Sequence, residues 1–348
     1  MSSTDTTHSI DAARLTRYLR SHLEGLEAQE GELEVLKLNG GQSNPTYAIS
    51  LGDRRWVLRK KPPGKLLPSA HQIEREHRVI SALAACGFPV PKAHLLCDDA
   101  SVIGTAFYVM EHMAGRILRD PSLPEIARDA RASYYEAMAR VLARLHDVDP
   151  RAIGLESYGK PEGFVARQVS RWTQQYEASK TDDVREMNAL SEWFAKNIPD
   201  ESAGAIVHGD IRIDNIVWHP TEPRVIALLD WELSTLGNPY SDAAYACLAY
   251  HMPRGVDGLP GLAGLDLDGL AIPNEDQFVA VYCEQRGLSE IPSWAFFVAF
   301  SLFRLAAITQ GVYARALQGN ASSSNAIEVG RLSSTLAKIG WEVASSSR

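Results

Sequence analysis

The chain has 348 residues, more than the ~150 that one ordinary core supports, so two lobes are expected. It is 45% hydrophobic and 22% charged, a balance that excludes a disordered chain. Lys plus Arg number 35 and Asp plus Glu 43, a net charge of −8. With no long basic run, that balance speaks against a nucleic-acid surface. Cys86, Cys97, Cys247 and Cys283 form no C-x-x-C pair, so neither a disulfide framework nor a zinc site is expected. The N-terminus is polar, so no signal peptide is expected there. The most apolar run, Trp294 to Ile308, is shorter than the ~20 residues of a membrane span and contains Arg304. A buried helix, no membrane partner and a cytoplasmic location are the expectations.

Ser9 to Glu27 has helical spacing through Ile10, Leu15, Leu19, Leu23 and Leu26. Leu33, Val35 and Leu36 then predict a strand, Tyr47, Ile49 and Leu51 a second, and Trp56-Val57-Leu58 a third. Between the first two lies the turn Asn39-Gly40-Gly41-Gln42-Ser43-Asn44-Pro45, which can bring backbone N–H groups close to a ligand. His71 to Cys86 predicts a helix that Gly87 ends. Val90 to Leu96 and Thr105 to Met110 predict strands around a turn at residues 97–101.

Beyond Gly115 the pattern is mainly helical. Helices are expected over Arg131 to His146, Phe164 to Ala178 and Asp183 to Asn197, and again from Asp242, Asn274 and Pro292. Two short apolar runs, Ala205-Ile206-Val207 and Val225 to Leu229, interrupt them. The lobe boundary is placed after residue 112, giving 1–112 and 113–348.

The informative stretch is His208-Gly209-Asp210-Ile211-Arg212-Ile213-Asp214-Asn215, followed by Asp230-Trp231-Glu232. Phosphoryl transfer needs an aligned hydroxyl, a carboxylate to orient it or take its proton, and divalent ions to neutralise charge. An Asp with an Asn five residues later meets two of these needs. Asp210 would face the hydroxyl, and Asn215 would offer an amide oxygen to magnesium. Asp230, at the end of the next strand, adds the carboxylate that a hard cation prefers.

This two-loop pattern resembles the aminoglycoside phosphotransferase and choline kinase-like superfamily. The resemblance covers nearly the whole chain. It implies an α+β, bilobal protein kinase-like fold, with a small antiparallel-sheet N-lobe and a mainly helical C-lobe. Asp230-Trp231-Glu232 stands where protein kinases have Asp-Phe-Gly, which points to the small-molecule branch. The cofactors implied are ATP and Mg2+, and the partner is a small-molecule hydroxyl acceptor.

The resemblance also assigns upstream residues. Arg59 falls in the register of the strand base that meets the nucleotide phosphates, with Lys60 and Lys61 as competitors. Glu76 resembles its helix partner, with Glu74 as competitor. Ser43 and Asn44 would add hydrogen bonds to phosphate. Met110, Glu111 and Met113 resemble the hinge that receives adenine. Arg212 takes the place from which protein kinases neutralise the moving phosphate. Asp242 caps its helix or, as in the superfamily, braces the catalytic loop.

Leu58 to Gly64, Tyr158 to Phe164 with Arg171-Trp172, and Leu236-Gly237-Asn238-Pro239 resemble the kinase-like domains joined to acyl-CoA dehydrogenases and their stand-alone bacterial relatives. That likeness implies a hydroxyacyl or carboxylate-bearing acceptor, met by Arg167, Arg171 and Trp172. An aminoglycoside would need acids such as Asp257, Asp266 and Asp268 and ranks lower. Arg59 in place of the usual Lys keeps an inactive nucleotide-binding sensor as the alternative.

Overall fold

A computed structural model describes residues 10–26, 29–38, 44–62, 71–200, 204–254, 260–319 and 325–346. The chain divides into two compact units, Met1–Ala114 with Ala227–Glu232, and Gly115–Ile226 with Leu233–Arg348. A single boundary after residue 112 makes no provision for the return of Ala227–Glu232.

In the first unit, helix α1 (Ala12–Arg20) starts where Asp11 accepts the Arg14 N–H at 2.9 Å. It stops well short of the expected Glu27, yet the turns that follow still bury Leu23 and Leu26 with Leu15 and Leu19. Strands β1 (Glu34–Lys37), β2 (Thr46–Leu51), β3 (Arg54–Lys60), β4 (Ala93–Cys97) and β5 (Phe107–Glu111) form one antiparallel sheet in the order β1-β2-β3-β5-β4. The alternation of β2 puts Tyr47, Ile49 and Leu51 into the core that α1 covers. Helix α2 (Ile73–Ala85) buries Ile73, Glu76, Val79, Ile80 and Leu83. Strand β4 begins at Ala93 rather than Val90, beyond Pro91, which has no N–H to give a ladder. The turn expected at 97–101 becomes a short helix, α3 (Ala100–Ile103), because Asp99 accepts the Ser101 N–H at 2.8 Å. Ala227–Glu232 belongs here through Leu228, whose N–H donates to Pro89 O at 2.9 Å, and through Trp231, which packs edge-on against Phe88.

The second unit is entered through Gly115, where a Cβ would meet Trp218 O at 2.4 Å. Only glycine fits that approach. Helices α4 (Arg131–His146), α5 (Phe164–Ser179) and α6 (Arg185–Lys196) precede strand β6 (Ala205–Val207) and strand β7 (Ile216–Trp218). Strand β8 (Val225–Leu228) carries the chain out, and β9 (Thr235–Gly237) returns it to pair antiparallel with β6. There follow α7 (Pro239–Ala246), α8 (Leu248–His251), α9 (Leu267–Leu270), α10 (Glu275–Arg286), α11 (Trp294–Leu317) and α12 (Ala326–Ser346). Helix α11 contains the apolar run Trp294 to Ile308 and continues beyond it to 24 residues, long and apolar enough to cross a membrane, but 78% of its most apolar window is buried. It is the core helix of this unit, packed against α5, α6, α7 and α12, with Phe296, Phe300 and Phe303 set edge-on around Phe194 of α6. All four cysteines are free.

Candidate active site

In the second unit, β6 ends in the turn that holds Asp210. Gly209 has φ +84°, and a Cβ there would meet Leu233 O at 2.7 Å. Asp242 is buried beneath the turn and accepts the His208 N–H at 2.6 Å and the Gly209 N–H at 2.8 Å. It does not cap α7; Asn238 does, accepting the Tyr240 N–H at 2.9 Å. His146 Nε2 approaches Asp242 Oδ2 at 3.3 Å, its Nδ1 meets the Tyr282 hydroxyl at 2.7 Å, and Arg286 donates to that hydroxyl at 3.0 Å. Because Arg286 supplies one hydrogen, the Tyr282 O–H is left to donate to Nδ1, and Nε2–H then donates to Asp242. Burial lowers the His146 pKa, so the ring is neutral. Burial alone would raise the Asp242 pKa, but the hydrogen bonds from His146 and the backbone outweigh it and hold the carboxyl low.

Asn215 Nδ2 donates to Asp210 O at 2.8 Å and to Asp210 Oδ2 at 3.1 Å. The amide oxygen, the atom a hard cation takes, is thereby turned away from Asp210. Arg212 donates to Asp214 at 2.6 Å. Burial works to lower its pKa, but Asp214 and then Asp210 keep it raised and the group charged. Arg212 therefore lies in the field of Asp210, although Asp214 already answers part of its charge. Beside this loop is a cavity partly open to solvent, lined by Arg119, Arg212, Asp214 and Tyr245 with apolar neighbours such as Met138 and Leu248.

The first unit gathers a second set. Arg59 is 7% exposed. Its Nη2 lies 2.8 Å from Asp230 Oδ1 and 3.3 Å from Glu232 Oε2, and its Nε faces Glu76 Oε2 at 3.0 Å. The last contact is an ion pair without hydrogen-bond alignment. Of the competitors, Lys61 pairs with Glu74 at 2.5 Å, and Lys60 is buried, which lowers its pKa. Glu76, 2% exposed, also accepts from Asn44 Nδ2 at 2.8 Å and from the Tyr108 hydroxyl at 3.2 Å. Burial pushes its pKa up to about 7, against the pull of Arg59. Asp230 adopts φ +65° and keeps 37% of its side chain exposed, so a cation can reach it.

Several expectations change. Asn44 is fully buried, and its amide is spent on Glu76 and on His71, which donates Nδ1–H to Oδ1 at 3.0 Å. It supports Glu76 rather than a phosphate. Ser43 lies outside the described residues. Met110 and Met113 are half-buried at and beyond the end of β5. The exposed Glu111 already gives its N–H to Lys92 O at 2.9 Å, so that donor is taken up within the sheet. Arg167 is bound to the carbonyls of Lys160 and Glu162, and Trp172 is buried. Neither they nor Arg171 line the cavity. Asp266 caps α9 through the Gly269 N–H at 2.9 Å and, like Asp268, does not line the cavity; Asp257 lies outside the described residues. Asp214, Tyr245, His146 and Arg304 are site residues that sequence reasoning did not assign.

A family model described as a phosphotransferase enzyme family matches residues 34–279. Acyl-CoA dehydrogenase family member 10 of Mus musculus is 47% identical over 328 residues, covering 94% of this chain but 31% of the mouse protein. The chain thus spans about a third of that relative. A solved Ralstonia eutropha JMP134 protein, provisionally assigned as an aminoglycoside phosphotransferase, matches with a TM-score of 0.87 and 44% identity, over 97% of this chain and 99% of that one. Choline kinase from Cryptosporidium parvum Iowa II matches with a TM-score of 0.62 at 14% identity over 97% of each chain, a likeness of fold alone. The expected α+β protein kinase-like fold is therefore present.

Proposed function

The chain belongs to the phosphotransferase enzyme family, and from that premise we propose that it moves the terminal phosphoryl group of ATP, with magnesium, to a hydroxyl of a small molecule. The observation that carries this is the Asp210–Asn215 pair: one carboxylate, held on a braced loop, with an amide oxygen turned away from it. Asp210 orients the acceptor hydroxyl and takes its proton. Arg212 offsets charge on the group in transfer, and Arg59 draws the phosphates.

The donors suit magnesium. Among the described residues no group of three or more His, Cys, Asp or Glu could hold a metal. Magnesium does not need one, because it takes one or two carboxylates and completes its shell with phosphate oxygens and water. Asn215 and Asp230 are the residues that would hold it. Bound magnesium supplies charge neutralisation on the phosphates.

The cavity favours an acceptor with apolar parts and negative charge. It presents two arginines and one acid, and that acid is already paired with Arg212. A polycation such as an aminoglycoside would meet the wrong sign. A hydroxyacyl or other carboxylate-bearing metabolite of the cytoplasm is the acceptor we infer.

The test is incubation with ATP, magnesium and a metabolite extract, with mass spectrometry to find which compound gains a phosphate. In parallel, Asp210→Asn should keep its fold and ATP affinity and lose turnover by roughly 10³-fold or more. ATP binding without any phosphorylated product would instead make the chain a nucleotide sensor.

A further inference from the structure

Arg304 is the only charged residue between positions 294 and 314 of the apolar helix α11. Removing a guanidinium from water costs free energy unless partners replace the solvent. Its partners identify its task. Nη2 donates to Gly209 O at 2.7 Å. The guanidinium carbon lies 4.8 Å from the centroid of the Tyr245 ring and 5.4 Å from that of Trp172, within the range of cation–π attraction. Among the described residues its buried Nε has no hydrogen-bond partner, so the rings supply what a further acceptor would.

Gly209 C=O and the Asp210 N–H belong to one planar peptide unit. Arg304 holds the oxygen, and His208 Nδ1 accepts the N–H at 3.3 Å. The plane that leads into Asp210 is therefore clamped at both ends. The preceding amides of His208 and Gly209 are held by Asp242. Of the two rings, Tyr245 also lies in the field of the Asp210 carboxylate. Burial first, and then the Asp210 charge, raise its phenol pKa, while Arg304 pulls it back.

We propose that Arg304 is a positioning residue for Asp210, setting the carboxylate's direction through the Gly209 carbonyl. For its catalytic consequence this rests on the phosphotransferase reading above. A lysine would keep the charge but lose the flat face and the fork that serve rings and carbonyl together.

The experiment uses the full chain and its Arg304→Ala and Arg304→Lys variants. Three readings are taken: ADP formation from ATP and magnesium with the extract as acceptor source, ATP–magnesium affinity by calorimetry, and amide exchange of residues 208–211. Arg304→Ala should lose turnover by about 100-fold, as a displacement near 1 Å at a reacting group does. Its ATP–magnesium affinity should stay within about twofold, exchange at Gly209 and Asp210 should speed up, and added guanidinium should restore at least about tenfold of the rate. Arg304→Lys should fall between and gain nothing from guanidinium; it also serves if the alanine variant fails to fold. Turnover of Arg304→Ala within about twofold of wild type, or unchanged exchange over 208–211, overturns the proposal. A wild-type chain that forms no product overturns the phosphotransferase reading instead, and exchange then decides the clamp by itself.

Discussion

Arg59 Nη2 lies 2.8 Å from Asp230 Oδ1, although the two are 171 positions apart in sequence. The same guanidinium also faces Glu76 and Glu232. Burial would lower its pKa, but these carboxylates raise it and keep the group charged. Three acids around one base leave no role for Lys60 or Lys61 in this cluster, and they name Glu76 over Glu74 as the helix partner.

Arg59→Met should therefore lower turnover by about 10²–10³-fold, the scale of one preorganised charge on developing negative charge. Arg59→Lys should keep part of the rate, having the charge without the fork. Steady-state ADP formation decides: if Arg59→Met retains half the wild-type rate, Arg59 is no phosphate ligand.

Glu76 makes a prediction with a definite sign. Its pKa rises from 4.5 to about 7 on folding, chiefly through burial. Between those values the folded chain holds a proton that the unfolded chain has lost. The stability Glu76 contributes is present below about pH 4.5 and is lost as pH rises through about 7. Glu76→Gln removes that titration. Hence the unfolding free energy of wild type minus that of the variant should fall between about pH 4.5 and pH 7. Urea melts at a series of pH values measure it, and a difference that rises over that window refutes the assignment.

Much of this could be read from local pattern. The 3.6-residue period over Arg131 to His146 matches α4 at both ends, and the alternation at Tyr47, Ile49 and Leu51 matches β2. The Asp210–Asn215 spacing pointed to a pair that is hydrogen-bonded. What local pattern does not carry is long-range pairing. Asn44 meets Glu76 across 32 positions and Arg304 meets Gly209 across 95. Neither polar side chain reveals, by its own neighbours in sequence, whether it faces a ligand or another element. Arg304 did carry a signal, since a lone charge in an apolar run must find a partner.

Asp242 should be among the least replaceable residues of the helical unit. It is buried, accepts two backbone N–H groups and faces His146. Asp242→Asn would turn an NH2 group toward donors already present and leave one of them unsatisfied. A loss of about 3 kcal/mol in unfolding free energy is expected. Tyr282→Phe removes the outer link to His146 and one acceptor of Arg286, spares the contacts of Asp242 itself, and should cost about 1 kcal/mol. Equal losses for the two variants would contradict the order of this chain.

Gly209→Ala separates backbone geometry from charge. The residue stands at φ +84°, and its added Cβ would lie 2.7 Å from Leu233 O. The left-handed conformation costs an L side chain about 1–2 kcal/mol, and a contact that short adds a shift of backbone rather than of a flexible side chain. The turn must then move, and it carries both the carbonyl held by Arg304 and the amide held by Asp242. Gly209→Ala should lose about 2 kcal/mol or more of stability, and turnover should fall by about 100-fold even below the melting transition. No charged or hydrogen-bonding side chain is removed, so a stable variant with wild-type turnover would show that Asp210 does not depend on the shape of this turn.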